Sequence, residues 1–388
     1  MPVENNRANV LVVAGEASAD RYAARVVGKL EESAGSRPLR FVGTGGDRMR
    51  AAGVELLSDI RDLASIGPRE AIAHLWKYVG TYRALVREIR EHRPAVALLL
   101  DFPEFNLRLA RHLKRAGVPV VYYVSPQLWA WRRYRVRSVR AYVDKMLVIL
   151  PFEVDFYRRH GVTAEFVGHP LLEDFRPTCN RQEFLNSLGL DPNRTAVALL
   201  SGSRRREVDY ILPVLLGAAV EMLRRRPAQF LVSVAPTIDP DYVRQIVSQV
   251  SGSARSHLHV LTEDSRDILA NSDFAMVKSG TSTLEAALTG TPFLTTYRIS
   301  PVSWYIGRIL VRSRFKGLVN LIADEAIVPE LLQGDATPEN LARTALELLE
   351  SPEKLAQMKV RMGQIKQKLG HRRASEAVAA VVGGYLCG

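Results

Sequence analysis

The stretch AVALLLDFPEFN, residues 95–106, settles the architecture. Six uncharged apolar residues in a row, Ala95–Leu100, suit a strand buried on both faces, as in parallel sheets, and are too few for a core helix. The run stops at Asp101, Pro103 follows, and helical periodicity takes over across Asn106–Ala116. The same strand pattern recurs on either side. Val10–Ala14, Arg40–Gly43, Val118–Val124 and Lys145–Ile149 read as buried parallel strands bounded by Gly, Pro or Asp. Ala19–Glu32 is helical in period, and so is Glu70–Ile89, with apolar residues at Ile72, Leu75, Val79, Tyr82, Val86 and Ile89. That stripe is expected to pack on the sheet, while Trp76 beside it leaves room for a lipid contact. Repeated β–α alternation implies right-handed crossovers and a doubly wound α/β sheet.

The pattern pauses over Glu173–Asn180 and restarts with Thr195–Leu200, Gln229–Val234, His259–Leu261 and Phe274–Val277. A domain boundary is therefore expected near residue 173, giving Rossmann-like domains over 1–173 and 174–365. The segment Pro352–Leu386 reads as helical, and its last part, near 366–388, is expected to cross back onto the first domain.

With 388 residues the chain has the length for two such cores, and 47% hydrophobic and 24% charged residues are typical of globular proteins. Cys179 and Cys387 lie far apart in no metal-ligand or CxxC spacing and are expected to be thiols in a reducing compartment. The N-terminal residues lack a basic region followed by a long apolar stretch, so no secretory signal is expected. No apolar run approaches the roughly 18 residues that span a bilayer. The formal charge of +12 favours anionic partners, and its distribution is uneven. Between Glu104 and Asp144 there is no acid, yet nine basic residues run from Arg108 to Arg140; a second acid-free zone, Ala286–Ala323, carries Arg298, Arg308, Arg312, Arg314 and Lys316. Both zones interleave Trp and Tyr, which favours an anionic interface over a merely solvated face.

Ligands of open parallel sheets bind beyond the carboxyl ends of the strands, so the residues just after each strand matter most. Gly15-Glu16-Ala17-Ser18-Ala19-Asp20 follows the first strand. Gly15 permits a sharp turn, Ser18 and Asp20 are explicable as caps, and Glu16 is expected to face the crevice. Gly43–Met49 is a glycine-rich loop of low specificity. Asp101, at the tip of a hydrophobic strand, is partly desolvated and can serve as a general base, whereas Glu104 or Asn106 can be explained as starting the next helix. Trp129 and Trp131 beside Arg132 combine flat apolar surface with an anion-binding fork. Core packing accounts for one tryptophan but not for both among so many arginines.

The second half carries the phosphate signals. Ser201-Gly202-Ser203-Arg204 runs into a helix starting near Glu207, exposing backbone N–H groups at a positive helix end. Lys278-Ser279-Gly280-Thr281-Ser282-Thr283-Leu284-Glu285 repeats the arrangement. Glu285 suits a ribose diol, although a capping box of Thr281 or Ser282 with Glu285 would look the same. No GxxxxGK[ST] is present, which disfavours ATP hydrolysis.

These motifs resemble, in order and over nearly the whole chain, the lipid-A-disaccharide synthase family (glycosyltransferase family 19): GEASAD at Gly15–Asp20, DFPEFN at Asp101–Asn106, YYVSPQLWAWR at Tyr122–Arg132, ILPFE at Ile149–Glu153, FVGHPL at Phe166–Leu171, SGSRRREV at Ser201–Val208, SGTSTLEAAL at Ser279–Leu288 and NLIADEAIVPELLQ at Asn320–Gln333. The resemblance implies a GT-B fold, two Rossmann-like domains facing an interdomain cleft. It implies inverting transfer of 2,3-diacylglucosamine from UDP-2,3-diacylglucosamine to the 6-hydroxyl of 2,3-diacylglucosamine 1-phosphate (lipid X), with no metal and no cofactor. Matched residue by residue, it makes Asp101 the catalytic base and assigns Gly15, Glu16, Ser18, Glu70, Ser125, Gln127, Trp129, Trp131, Arg132 and His169 to substrate. It assigns Ser201, Gly202, Ser203, Arg204, Glu207, Ser279, Gly280, Thr281, Thr283, Glu285 and Asn320 to the nucleotide. It further implies a peripheral enzyme on the cytoplasmic face of a Gram-negative-type inner membrane, meeting an anionic membrane surface and no nucleic acid, and leaves a homodimer open. The chain departs from the family's pattern at Ala19, Asp47, Phe102–Glu104, Ser201 and Pro68-Arg69, which bears on acceptor-side geometry. Two rivals remain at this point: a UDP-N-acetylglucosamine 2-epimerase, which shares the two-domain plan, and a non-enzymatic RNA- or membrane-binding protein driven by charge.

Overall fold

The computed structural model describes residues 7–35, 38–63, 71–173, 175, 179–300, 314–370 and 373–386. The chain divides into two compact units, Met1–Glu173 with Leu369–Gly388, and Asp174–Lys368.

Unit 1 is built on seven parallel strands: β1 (Ala8–Ala14), β2 (Leu39–Gly45), β3 (Glu55–Asp59), β4 (Val96–Leu100), β5 (Val120–Tyr123), β6 (Lys145–Val148) and β7 (Ala164–Phe166), in the order β3-β2-β1-β4-β5-β6-β7. Sequence order reverses between β1 and β4, which pair Ala14 with Leu100 at their carboxyl ends. This is the crevice-forming switch point of a doubly wound sheet. The apolar runs are continuous because alternate residues feed two cores. Val10, Val12, Leu98 and Leu100 face one, under α1 (Ala17–Ser33) and the helix Ala374–Gly384. Leu11, Val13, Ala97 and Leu99 face the other. That second core lies under α4 (Ala71–His92), α5 (Pro103–Arg115), α6 (Val136–Tyr142) and α7 (Pro151–Arg159), after the short α2 (Asp47–Ala51) and α3 (Ile60–Leu63).

Unit 2 has six parallel strands: β8 (Ala196–Leu200), β9 (Gln229–Ser233), β10 (Leu258–Leu261), β11 (Phe274–Lys278), β12 (Phe293–Tyr297) and β13 (Glu330–Leu332), ordered β10-β9-β8-β11-β12-β13. Its switch point falls between β8 and β11. The helix Arg205–Leu223 packs closely on Pro338–Leu349: a Cβ on Gly217 would lie 2.8 Å from the Pro338 ring.

Four strands escaped the sequence reading, β3, β7, β12 and β13. Glu55–Asp59 and Ala164–Phe166 lie at the sheet edges, carry acids and are only part-buried, so they lack the apolar signature. The terminal helical segment is two helices, Pro352–Lys368 and Ala374–Gly384, broken at Gly370, whose φ is +89°.

The first loop also differs from expectation. Ser18 does not cap α1; the N-cap is Glu16, whose side chain makes no capping bond to the helix start. Asp20, only 5% exposed, instead reaches the start of α2 and accepts the N–H groups of Gly46 (2.6 Å), Met49 (3.1 Å) and Arg48 (3.2 Å). A buried carboxylate taking three backbone donors at a helix start fastens the glycine-rich loop to α1. Replacing Asp20 with Ala should destabilise unit 1 by about 3 kcal/mol, read as an earlier urea transition, while Asp47→Ala, on an exposed residue, should change it little.

Candidate active site

In unit 1 the switch point brings the β1–α1 turn against the β4–α5 turn. A Cβ on Gly15 would stand 2.4 Å from the Phe102 ring, so glycine is required there. Asp101 (φ +45°) and Phe102 (φ +47°) are consecutive left-handed residues, a conformation that costs a non-glycine residue roughly 1–2 kcal/mol. Their neighbours enforce it. Asn106, fully buried, donates from Nδ2 to the carbonyls of Leu100 (3.0 Å) and Asp101 (2.8 Å), and the Tyr122 hydroxyl also donates to the Asp101 carbonyl. The part-buried Asp101 carboxyl is thereby held at the strand tip. Asn106, explicable in sequence as a helix start, is a positioning residue; the conflict between a strand end and an immediate Pro103 was its only signal.

The neighbouring loop after β5 is tied to the same place. Glu104 forms ion pairs with Arg132 and Arg135, and its carboxyl is held below the usual range, chiefly by the Arg135 contact. The Arg132 guanidinium lies 4.3 Å over the Trp131 ring, which stays exposed. Trp129 is the packed tryptophan: it meets Phe152 edge-on at 5.1 Å and donates from Nε1 to Glu153 at 3.2 Å. Glu153, 1% exposed, also accepts the N–H of Leu150 (3.1 Å). Burial pushes its pKa up to about 7 against the bonds from backbone, Ser125 and Trp129 that favour its charge. Ser125 itself is buried and shares a 3.0 Å hydrogen bond with the Tyr157 hydroxyl. Gln127 is exposed, with its carbonyl accepting from Ala130 (3.1 Å). Glu153 was absent from the sequence-derived site; the ILPFE motif contained it, but its burial under the tryptophan loop is a tertiary fact.

His169 is 3% exposed, its pKa lowered to about 3 by burial, and its Nδ1 accepts the N–H of Leu171 (3.2 Å), capping a short turn. The neutral ring therefore shapes the chain rather than supplying charge. Glu16 and Ser18 are exposed at the start of α1. Glu70 lies outside the described residues, as do Pro68, Arg69, Trp304, Arg308 and Arg312.

In unit 2 both glycine-containing loops sit at the switch point, after β8 and β11. Ser201 is buried; Gly202 has φ +116°, and a Cβ there would strike Glu207 Oε2 at 2.4 Å. Glu207 accepts the Ser203 N–H (3.1 Å) and pairs with Lys278 (2.8 Å) and Arg204 (3.6 Å). Its carboxylate thus ties one loop to the end of β11 and holds two cations beside the start of the helix Arg205–Leu223. Lys278, read in the sequence only as the start of the second motif, belongs to this cluster. The helix Thr281–Thr289 starts at Gly280 with no side-chain cap. The capping-box alternative is therefore set aside: Glu285 instead accepts from the Ser265 hydroxyl (3.1 Å), and Thr283 donates to the Gly280 carbonyl (2.6 Å). Thr281 is exposed, and Ser279 donates to the Lys316 carbonyl (2.7 Å). Asn320, 1% exposed, bonds Val328 O and Glu330 Oε1 through Nδ2 and the N–H groups of Ile327 and Val328 through Oδ1. Both donors and both lone pairs of its amide are used, so it shapes the 316–330 loop. Among the described residues no group of three or more His, Cys, Asp or Glu could hold a metal ion, and no helix is long and apolar enough to cross a membrane.

The family model for lipid-A-disaccharide synthetase matches residues 10–382. The chain belongs to the lipid-A-disaccharide synthase family. Curated relatives agree in length as well as sequence. The lipid-A-disaccharide synthase of Koribacter versatilis is 43% identical over 95% of both chains, and that of Nitrosococcus oceani 40% identical over 100% of this chain and 99% of its own. The chain is thus a glycosyltransferase of lipid A disaccharide synthesis. Solved structures that it resembles at low identity report on fold alone. They include Acinetobacter baumannii MurG (TM-score 0.60, 13% identity, covering 97% of this chain and 99% of that one) and UDP-GlcNAc 2-epimerase from Neisseria meningitidis (0.64, 12%, 98% and 99%). Together with the two parallel-sheet units these place the synthase family chain in the GT-B fold; the epimerase rival shares its architecture, not its family.

Glu153 gives a pH prediction with a definite sign. Its pKa is raised in the folded state, so its contribution to stability is full below the ordinary carboxylate range and is lost as pH rises to about 7. His169, with a lowered pKa, acts in the opposite sense as pH falls below about 6.5. Comparing wild type with Glu153→Gln isolates the first effect: the variant should show a difference in unfolding free energy that grows by up to ~3 kcal/mol between pH 4.5 and 7, with no further change above.

Proposed function

We propose that the synthase transfers 2,3-diacylglucosamine from UDP-2,3-diacylglucosamine to the 6-hydroxyl of 2,3-diacylglucosamine 1-phosphate, giving a β-1,6-linked disaccharide 1-phosphate and UDP. The observation that carries this is Asp101, held in a strained backbone conformation at the switch point of unit 1. Unit 1 takes the acceptor and unit 2 the nucleotide-sugar. Both substrates are acylated, so the work is done at an anionic membrane surface.

The chemistry is one displacement with inversion. The Asp101 carboxylate takes the proton of the acceptor 6-hydroxyl as that oxygen forms its bond to the donor's anomeric carbon, and the bond from that carbon to the UDP oxygen breaks. Gly15 and Glu16 border the same turn, and Ser125, Gln127, Trp129, Trp131 and Arg132 form the loop that receives the sugar and its phosphate. His169, neutral and buried, keeps that side's chain path, and Ser18 stands beside the crevice. On the departing side the Ser201–Ser203 backbone, Arg204 and Lys278 face the diphosphate, a preorganised electrostatic arrangement that needs little rearrangement as charge develops. Glu207 is their counter-ion until the diphosphate arrives. Ser279, Gly280, Thr281 and Thr283 present a second helix start, Glu285 takes the ribose hydroxyls, and Asn320 shapes the adjoining loop. The Neisseria meningitidis epimerase structure with bound UDP-GlcNAc and the S. aureus MnaA structure with UDP support a UDP-sugar for this fold.

The direct test is incubation with UDP-2,3-diacylglucosamine and lipid X, with mass detection of the disaccharide phosphate; no product from the well-folded protein would end the proposal. Asp101→Asn should keep UDP affinity and lose on the order of a thousandfold or more in turnover, whereas near-normal turnover would remove Asp101 as the base. Arg204→Ala should weaken UDP binding about tenfold or more in calorimetry, and unchanged affinity would count against the phosphate-loop assignment.

A further inference from the structure

The two helical layers of unit 1 differ sharply in charge pairing. On the layer of α1 and the helix Ala374–Gly384 three of the cations have carboxylate partners, Arg25 with Glu173 (3.4 Å), Lys29 with Glu32 (2.7 Å) and Arg373 with Glu376 (3.1 Å), and Arg21 lies over the Tyr22 ring at 5.4 Å. The opposite layer, α4–α7, is different. Arg133, Arg137, Arg140 and Arg159 are exposed, and among the described residues none has a carboxylate partner. The acids nearby are already engaged: Glu104 by Arg132 and Arg135, Asp155 by Arg158, and Asp144 by Lys114. These four guanidiniums line one open groove of about 660 Å³ together with Tyr134 and His160. Exposed Arg108, Arg111 and Arg115 on α5 extend the same sign of charge along the layer.

Guanidiniums gathered without counter-ions repel one another, and the arrangement gains free energy only when anions settle among them. The groove is open, so it suits a surface bearing many phosphates more than a single enclosed ion. Its rim is aromatic as well as basic. Tyr134 is 66% exposed, and Trp131, 38% exposed, stands on the adjoining loop. Amphipathic rings of this kind settle at the headgroup level of bilayers.

We propose that the Arg133–Arg137–Arg140–Arg159 groove is the face by which unit 1 docks on the phosphate headgroups of an anionic bilayer. The choice of lipid over soluble phosphate rests on the lipid substrates proposed above. The groove adjoins the Trp129–Arg132 loop, so docking here sets the acceptor loop at the level of the headgroups.

The test uses the full chain and two sets of vesicles, phosphatidylcholine alone and phosphatidylcholine with phosphatidylglycerol. Wild type should sediment with the anionic vesicles, less so as salt rises, and scarcely with the neutral ones. Each arginine near such a surface is worth about 1 kcal/mol, so Arg137→Gln, Arg140→Gln and Arg159→Gln combined should weaken binding on the order of a hundredfold. Its thermal transition and its turnover of detergent-dispersed substrates should stay at wild-type values. Arg140→Glu alone, should the triple variant fold poorly, is expected to weaken binding about tenfold or more. Wild-type binding by these variants would overturn the proposal, as would equal wild-type binding to neutral vesicles. Inorganic phosphate that displaces the protein from vesicles beyond its ionic-strength effect would point to a soluble ligand instead and also overturn it. So would homopolymer RNA binding that the triple variant loses while vesicle binding persists. The vesicles contain neither substrate, so a failed transfer reaction and a failed docking surface are separately visible.

Discussion

The carbonyl of Asp101 is the point on which the chemistry proposed for unit 1 turns. It accepts hydrogen bonds from the Asn106 amide and the Tyr122 hydroxyl, both buried groups, and those bonds hold two successive side-chain-bearing residues in left-handed conformations. Without them the strand would run on or relax into an ordinary turn, and the carboxyl would swing away from the tip of β4. The same turn sets the Phe102 ring against Gly15, so the two loops of the crevice are shaped by each other. Local strain is offset by the hydrogen bonds that the buried Tyr122 and Asn106 donate to this turn.

Unit 2 solves a different electrostatic problem. The loop proposed to receive a diphosphate gathers cations that would repel one another without a counter-ion. Glu207 relieves this by pairing with Lys278 and Arg204 while bonding the Ser203 N–H. The acidic residue in a basic motif, which in sequence looks like one more helix-start carboxylate, is the internal counter-ion of the loop. A ligand must then compete with Glu207 for those cations, which favours an anion of more than one charge.

Much of this was legible in the sequence because parallel strands buried on both faces announce themselves by uninterrupted apolar runs. β1, β4, β8 and β11 were visible for that reason, and with them the loops that follow. Edge strands β3 and β7 were not, since a strand with one neighbour and a wet side keeps polar residues. Residue roles were less legible than residue places. Asp20, Asn106, Glu153 and Asn320 are polar residues whose partners lie on other segments, and their burial arises only once those segments meet. Trp129 and Trp131, one residue apart, were alike in sequence and part company in the fold: one packs under Phe152 and Glu153, the other stays at the surface beneath Arg132.

The helix Ala374–Gly384 lays Ala374, Val378 and Val382 onto the first core, and Ser375 donates to Glu173, 202 residues earlier in the chain. On the ribosome that helix emerges only after the whole of unit 2 has been made. The α1 side of unit 1 therefore waits with an uncovered apolar face through the synthesis of unit 2, and unit 2, continuous in sequence, is the one free to complete itself first. Completion of unit 1 waits on the last helix to be synthesised, and for that interval its uncovered apolar face is an aggregation hazard of the kind that chaperones shield.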